Sequence, residues 1–148
     1  MELQWRCTPF NELTVTELYA IMQLRNEVFV VEQNCVFQDA DNKDKYCHHL
    51  GAWDGDTLAA YARLVPPGIS YTEMSIGRVI TAVHYRGAGI GRQLLQNAIV
   101  NCGLIFGEKP IKIGAQLYLE KMYNSFDFQR VGDIYLEDGI EHIHMYRI

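Results

Sequence analysis

At 148 residues, with 49% hydrophobic and 21% charged side chains, the chain suits one domain spanning 1–148 and is too apolar to be disordered or fibrous. Eighteen acidic against thirteen basic side chains give a net charge of −5, which opposes binding to a nucleic-acid backbone and suits a cationic partner such as an amine. The start has no secretory character and no apolar run reaches the roughly 18 residues of a membrane span, so no membrane partner and a cytoplasmic location are expected.

Residues 3–7 suggest a short opening strand. Apolar residues at helical intervals over 15–31 predict a helix, capped by Thr14 or Thr16 with Glu17 in its first turn. The polar, acidic stretch 33–46 reads as a solvated loop. Two strands, 49–53 and 58–65, flank an Asp54-Gly55 turn, and Pro66-Pro67-Gly68 ends the second. A buried strand is expected over 75–83 and a glycine-rich turn at 84–89. An amphipathic helix starts at Ile90, with Leu94, Leu95, Ala98, Ile99 and Cys102 on one face. A strand at 111–115 and a helix near 117–126 follow. A closing hairpin joins 128–136 to Ile140–Arg147 through Glu137-Asp138-Gly139. This order predicts an α/β or α+β fold around one mixed sheet, whose middle strand–helix–strand unit is parallel and right-handed.

Cys7, Cys35, Cys47 and Cys102 form no Cys-x-x-Cys pair and read as free thiols. Cys47-His48-His49 lies along a strand, where neighbours point to opposite faces, and Asp39, Asp41 and Asp44 lack the offsets of a calcium loop; no metal site is expected.

Arg86-Gly87-Ala88-Gly89-Ile90-Gly91 carries the chemistry. Its glycines permit unusual backbone angles and close ligand approach. At a helix start the turn presents unpaired N–H groups and the positive dipole end, which suit a phosphate or pyrophosphate, with Arg86 and Arg92 adding charge. A P-loop needs Gly-Lys-Ser/Thr, but Gly91 precedes Arg92 and Gln93. A dinucleotide fingerprint needs G-x-G-x-x-G with an acid after the next strand, which here ends Gly114-Ala115-Gln116. Neither fits.

The turn resembles the Q/R-x-x-G-x-G/A motif of the GNAT superfamily of N-acetyltransferases, with Arg86, Gly89 and Gly91 at its defining positions. Tyr123-Asn124-Ser125-Phe126-Asp127-Phe128 is similar to the family's Y-x-x-x-G-F, with Asp127 in place of glycine, and Gln116 stands where many members have Asn. Leu24-Arg25, Val28 to Cys35, Tyr61-Ala62-Arg63, Ile76 to Ile80, Gly114-Ala115-Gln116 and Asp138-Gly139-Ile140-x-His142-Ile143 closely resemble the ElaA-type branch, across nearly the whole chain. The resemblance implies a mixed, mostly antiparallel sheet splayed between its two central parallel strands, flanked by helices. It also implies acetyl-CoA as cosubstrate, held by Val79, Ile80 and Thr81 on the strand, by Arg86, Gly87, Ala88, Gly89, Ile90, Gly91 and Arg92 at the turn, and by Gln116.

Acyl transfer to an amine needs a neutral nucleophile, a stabilised oxyanion and a proton for the leaving thiolate. The resemblance makes Tyr123 the proton donor. Glu32, Glu73 and His49 are the candidate bases, with a water chain as the alternative. Arg25, Arg63 and Arg78 sit in apolar segments and call for carboxylate partners or a place on the cleft. The acceptor expected is a primary amine of a small metabolite, a peptide N-terminus or a lysine. A homodimer is compatible with the strand edges, and a non-catalytic acyl-CoA sensor is the rival function.

Overall fold

The structure, a computed structural model, describes residues 2–148. Strand β1 (Gln4–Pro9) leads to helix α1 (Val15–Arg25). Thr14, rather than Thr16, caps that helix. Its hydroxyl accepts from the Glu17 N–H at 3.0 Å while the Glu17 carboxylate accepts from the Thr14 N–H at 2.9 Å, a reciprocal pair that satisfies two end donors. The helix expected over 15–31 is not α-helical throughout. Asn26–Glu32 widens into a π-helical segment, after which the Gln33 N–H reaches the Val28 carbonyl and the Cys35 N–H the Val30 carbonyl, both at 3.1 Å.

Strands β2 (His48–Asp54), β3 (Thr57–Val65) and β4 (Ser75–Thr81) precede helix α2 (Ile90–Phe106). Strand β5 (Ile111–Gln116), the short helix α3 (Glu120–Asn124), β6 (Gln129–Glu137) and β7 (Ile140–Arg147) complete the chain. The strand expected to reach 83 stops at Thr81, because Val83–Tyr85 turns as a 3-10 segment. The helix expected over 117–126 is a 3-10 turn, Leu117–Leu119, followed by α3 alone.

The strands form two antiparallel sheets, ordered β1-β2-β3-β4 and β5-β7-β6. Their only parallel junction among the described residues is a single bridge, Met74–Ile111, where the Lys112 N–H donates to the Met74 carbonyl at 3.0 Å. Beyond it β4 and β5 part. The continuous mixed sheet is thus split along its central parallel pair, which is the GNAT fold that the resemblance implies.

Two cores clasp these sheets. Helix α2 buries Leu94, Leu95, Ala98 and Cys102 in a cluster with Ala62, Leu64, Ile76, Ile111, Ile113, Ile143 and Met145. On the opposite side, Ile21, Leu24 and Val28 pack on Trp53, Leu58, Tyr61 and Ile80. Ile76 and Ile80, four apart on β4, would face the same way on a regular strand. They serve opposite cores because of a bulge: Tyr61 pairs with Ile80 and Arg63 with Gly77, so Ala62 faces both Arg78 and Val79. Arg78 carries the strain, at φ +52°.

The acidic stretch 33–46 is not a solvated loop. Arg25, fully buried, donates from Nε to Asp39 Oδ2 at 2.7 Å and from Nη1 to Asp44 Oδ1 at 2.6 Å. Arg63 makes a fork to Asp41 at 2.8 and 2.9 Å and reaches Asp44 at 3.0 Å; Arg78 Nε donates to Asp39 at 2.7 Å. Three arginines from α1, β3 and β4 thereby balance three aspartates of one loop. Burial works against the charges of Asp41 and Asp44, but the hydrogen bonds and charges of Arg63 and Arg25 outweigh it and hold both carboxyls below the usual range.

Candidate active site

A cleft of about 820 Å³ occupies the gap between β4 and β5. Its walls come from the bulged part of β4, the free edge of β5, the π-helical segment, α3 and the β6–β7 end.

At one end lies the glycine turn. Gly87 and Gly89 stand at φ +86° and +77°, the left-handed region that glycine enters without strain. Gly89 is the N-cap of α2 and no side chain caps this end. The first helical bond runs from the Gln93 N–H to the Gly89 carbonyl at 3.3 Å. The N–H groups of Ile90, Gly91 and Arg92 precede it and have no partner within the helix. With the dipole's positive end at the same place, the turn is built for an anion. Gly91 borders the cleft, and a side chain there would meet Thr81 Oγ1 at 3.6 Å.

Arg86 donates from Nε to the Thr81 carbonyl at 3.0 Å and makes a fork to Glu32 at 2.7 and 2.9 Å. The Arg86 hydrogen bond holds the Glu32 carboxyl below its usual range, which makes it a weaker base. Arg92 bonds Ser125 Oγ at 3.0 Å and lies over the Phe126 ring, tying α2 to the end of α3. Gln116, at the end of β5, exchanges hydrogen bonds with Gln33 at 3.3 and 3.5 Å across the gap.

Tyr123 projects from α3, almost wholly buried, yet its side chain borders the cleft. Its ring meets Phe128 edge-on at 5.7 Å, and burial raises its hydroxyl above the usual phenol value. Asp127 takes φ +70°, the left-handed conformation that the family's glycine would supply, so the chain still turns back from α3 into β6.

Of the residues singled out from sequence, Val79, Ile80, Thr81, Arg86, Gly91, Gln116, Tyr123 and Glu32 all line this cleft. Glu73, His49 and Arg92 do not, and Gly87, Ala88, Gly89 and Ile90 form the turn at its end without lining it. His49 is buried on β2 beside β3, where Nδ1 meets the Tyr61 hydroxyl at 2.6 Å and Nε2 the Asp44 carbonyl at 2.9 Å. With both ring nitrogens engaged, and its protonated form disfavoured by burial, it braces the arginine–aspartate network instead of meeting a substrate. Tyr71 and Tyr135, which belong to no motif, and His142, which the sequence marks only through the resemblance near the C-terminus, also face the cleft. Alternation on the last strand gives the histidine's direction, since Ile143 and Met145 go to the core and send His142 and His144 the other way.

Similarity to known proteins agrees with this geometry. The family described as "Acetyltransferase (GNAT) domain" matches residues 17–148. The chain is 42% identical over 147 residues to Protein ElaA of Escherichia coli, covering 98% of this chain and 96% of that protein. The crystal structure of E. coli ElaA superposes with a TM-score of 0.93 over 99% of this chain and all of that one, at 40% identity. An acyl-CoA N-acyltransferase from Pseudomonas aeruginosa superposes with a TM-score of 0.95 at 41% identity, covering 99% and 100% of the two chains. A splayed sheet, an uncapped glycine turn and a family match over most of the sequence converge: the chain belongs to the GNAT acyltransferase family, in its ElaA-type branch.

Proposed function

We propose that residues 1–148 act as one N-acetyltransferase domain, moving an acetyl group from acetyl-CoA to a primary amine by direct attack. The observation that carries this reading is the uncapped α2 N-terminus opening on the same cleft as Tyr123. The turn's N–H groups hold the pyrophosphate, and the edge of β4 over Val79, Ile80 and Thr81 guides the pantetheine arm into the splay. The acetyl thioester then lies inside the cleft, where a backbone N–H near Ile80 polarises its carbonyl. The neutral amine nitrogen attacks the carbonyl carbon and gives up one proton to a base or water in the cleft, the tetrahedral intermediate collapses, and the C–S bond breaks. Tyr123 stays protonated through neutral pH and donates its hydrogen bond, and finally its proton, to the departing sulfur.

Thiol release from acetyl-CoA across a panel of primary amines, beside calorimetry of cofactor binding, tests this directly. Binding with release on at least one amine is expected. Binding without turnover on any amine would favour a sensor, and absence of binding would end both readings.

Tyr123→Phe keeps the ring on Phe128 and removes only the donor. Its kcat is expected to fall about 10²-fold or more while the cofactor Kd stays within about twofold. Unchanged kcat would remove Tyr123 as the acid.

Glu32→Gln tests the remaining carboxylate candidate on the cleft. The exposed pair with Arg86 is worth at most about 1 kcal/mol, so its loss is expected to alter cofactor affinity by no more than about fivefold, towards tighter binding. Turnover should change as little. A hundredfold loss of kcat would instead make Glu32 the base.

A further inference from the structure

Strand β7 sends Ile143 and Met145 into the α2 core, so His142 faces the opposite side of the sheet, across from Gln116 of β5. It lines the cleft although its own surface is nearly buried. Its Nδ1 lies 2.8 Å from the Ile140 carbonyl. A carbonyl only accepts, so Nδ1 must carry the hydrogen, and in the neutral ring Nε2 is left as a free lone pair. That nitrogen sits 3.4 Å from Glu137 Oε2, whose side chain is well exposed to water. One ring nitrogen is therefore fixed as donor, and the other faces a solvated carboxylate that can take a proton from it once the ring is charged.

The neighbours suit an amine. Gly114 on β5 faces this spot without a side chain, and a Cβ there would come within 2.7 Å of the Tyr135 hydroxyl and 3.0 Å of the Tyr71 hydroxyl. The two phenols thus close over β5 where it leaves β4. Tyr135 lies 5.7 Å from the His142 ring and stacks on His144 at 4.5 Å, and Tyr71 meets His144 edge-on. Lys112 Nζ lies over the Tyr71 ring at 5.1 Å and His144 stacks on Tyr135, so it is the two phenol hydroxyls that are offered to a neutral amine.

Resting on the acetyltransferase reading above, we propose that His142 is the general base for the acceptor amine and Glu137 the outlet for its proton. As the amine nitrogen bonds the thioester carbonyl carbon, His142 Nε2 takes a proton from that nitrogen. The imidazolium passes it through Glu137 to water. The thiolate released when the C–S bond breaks takes its proton from Tyr123, which is reprotonated from solvent. The acceptor is a primary amine presented between Tyr71, Tyr135 and Glu137.

The test uses the amine that the parent protein turns over fastest in the panel. His142→Ala is expected to lower kcat at least about 10²-fold with acetyl-CoA affinity unchanged, and added imidazole should restore part of the rate by replacing the missing ring. His142→Asn keeps an N–H for the Ile140 carbonyl, so a folded domain survives, but it has no Nε2 and should be equally slow. If the parent turns over and His142→Asn matches it, the base is elsewhere while the acetyltransferase reading stands. A slow His142→Ala that imidazole does not rescue would likewise overturn the base assignment. No release by the parent on any amine would overturn both.

Discussion

Replacing Arg25 by methionine is expected to destabilise the fold by about 3 kcal/mol, read as a fall in Tm of roughly 10 °C. The guanidinium is fully buried, and its removal strips Asp39 and Asp44 of hydrogen bonds at 2.7 and 2.6 Å. Arg78 and Arg63 still reach those carboxylates, which keeps the cost near the lower end for a broken buried pair. Arg25→Lys should recover only part of the loss, because an ammonium lacks the fork that serves both aspartates and the Asp39 carbonyl. The effect has a pH signature. Asp44 is held below the usual carboxyl range in the folded chain, so its contribution is complete above about pH 4 and fades as pH falls through the lower folded value. The gap between parent and variant in urea unfolding should be full at neutral pH and narrow below about pH 4. A loss under about 1 kcal/mol would show that the network does not hold the 33–46 stretch.

That network also shows where reading the sequence reached its limit. The three arginines demanded partners because each sits among apolar neighbours, and the demand was sound. Their partners lie in a stretch that reads as a solvated loop, because acidic runs usually are, and nothing local distinguishes one from the other. The pairs join residues 14 to 39 positions apart, so only the fold shows them. The bulge at Arg78 and the π-helical widening after Arg25 are invisible for a related reason. Each adds a residue to a repeat without altering composition, yet the bulge turns Ile80 away from Ile76 and the widening brings Glu32 and Gln33 to the cleft. Helix α2 was legible because its apolar face is unbroken. The closing hairpin was legible because Asp138 and Gly139 take the left-handed angles, φ +51° and +79°, that its turn requires. The glycine turn was legible as chemistry because its function is carried by backbone, which glycine spacing reports. His142 was not, because a base is defined by what surrounds it. Its two decisive neighbours are a carbonyl two residues back and a carboxylate on the adjoining strand.

Gly89→Val is the sharpest test of the turn, and acetyl-CoA affinity is expected to fall at least about 100-fold. At φ +77° a β-branched residue is strained by about 1–3 kcal/mol, which favours a backbone that turns the N–H groups of Ile90 and Gly91 away from their common target. The strain need not unfold the domain, because a Cβ at this position meets no heavy atom within 4 Å. The new methyl groups instead stand in the open space beside the unpaired donors, where a pyrophosphate would lie. Acetyl-pantetheine separates the two consequences. It offers the same thioester to Tyr123 and lacks the pyrophosphate, so its kcat/KM should differ little between parent and variant. A parallel loss with both donors would place the damage in the folded cleft, and unchanged acetyl-CoA affinity would mean that the turn does not hold pyrophosphate. Loss confined to acetyl-CoA would tie this backbone, through three N–H groups that α2 leaves unpaired, to the part of the cofactor farthest from the chemistry.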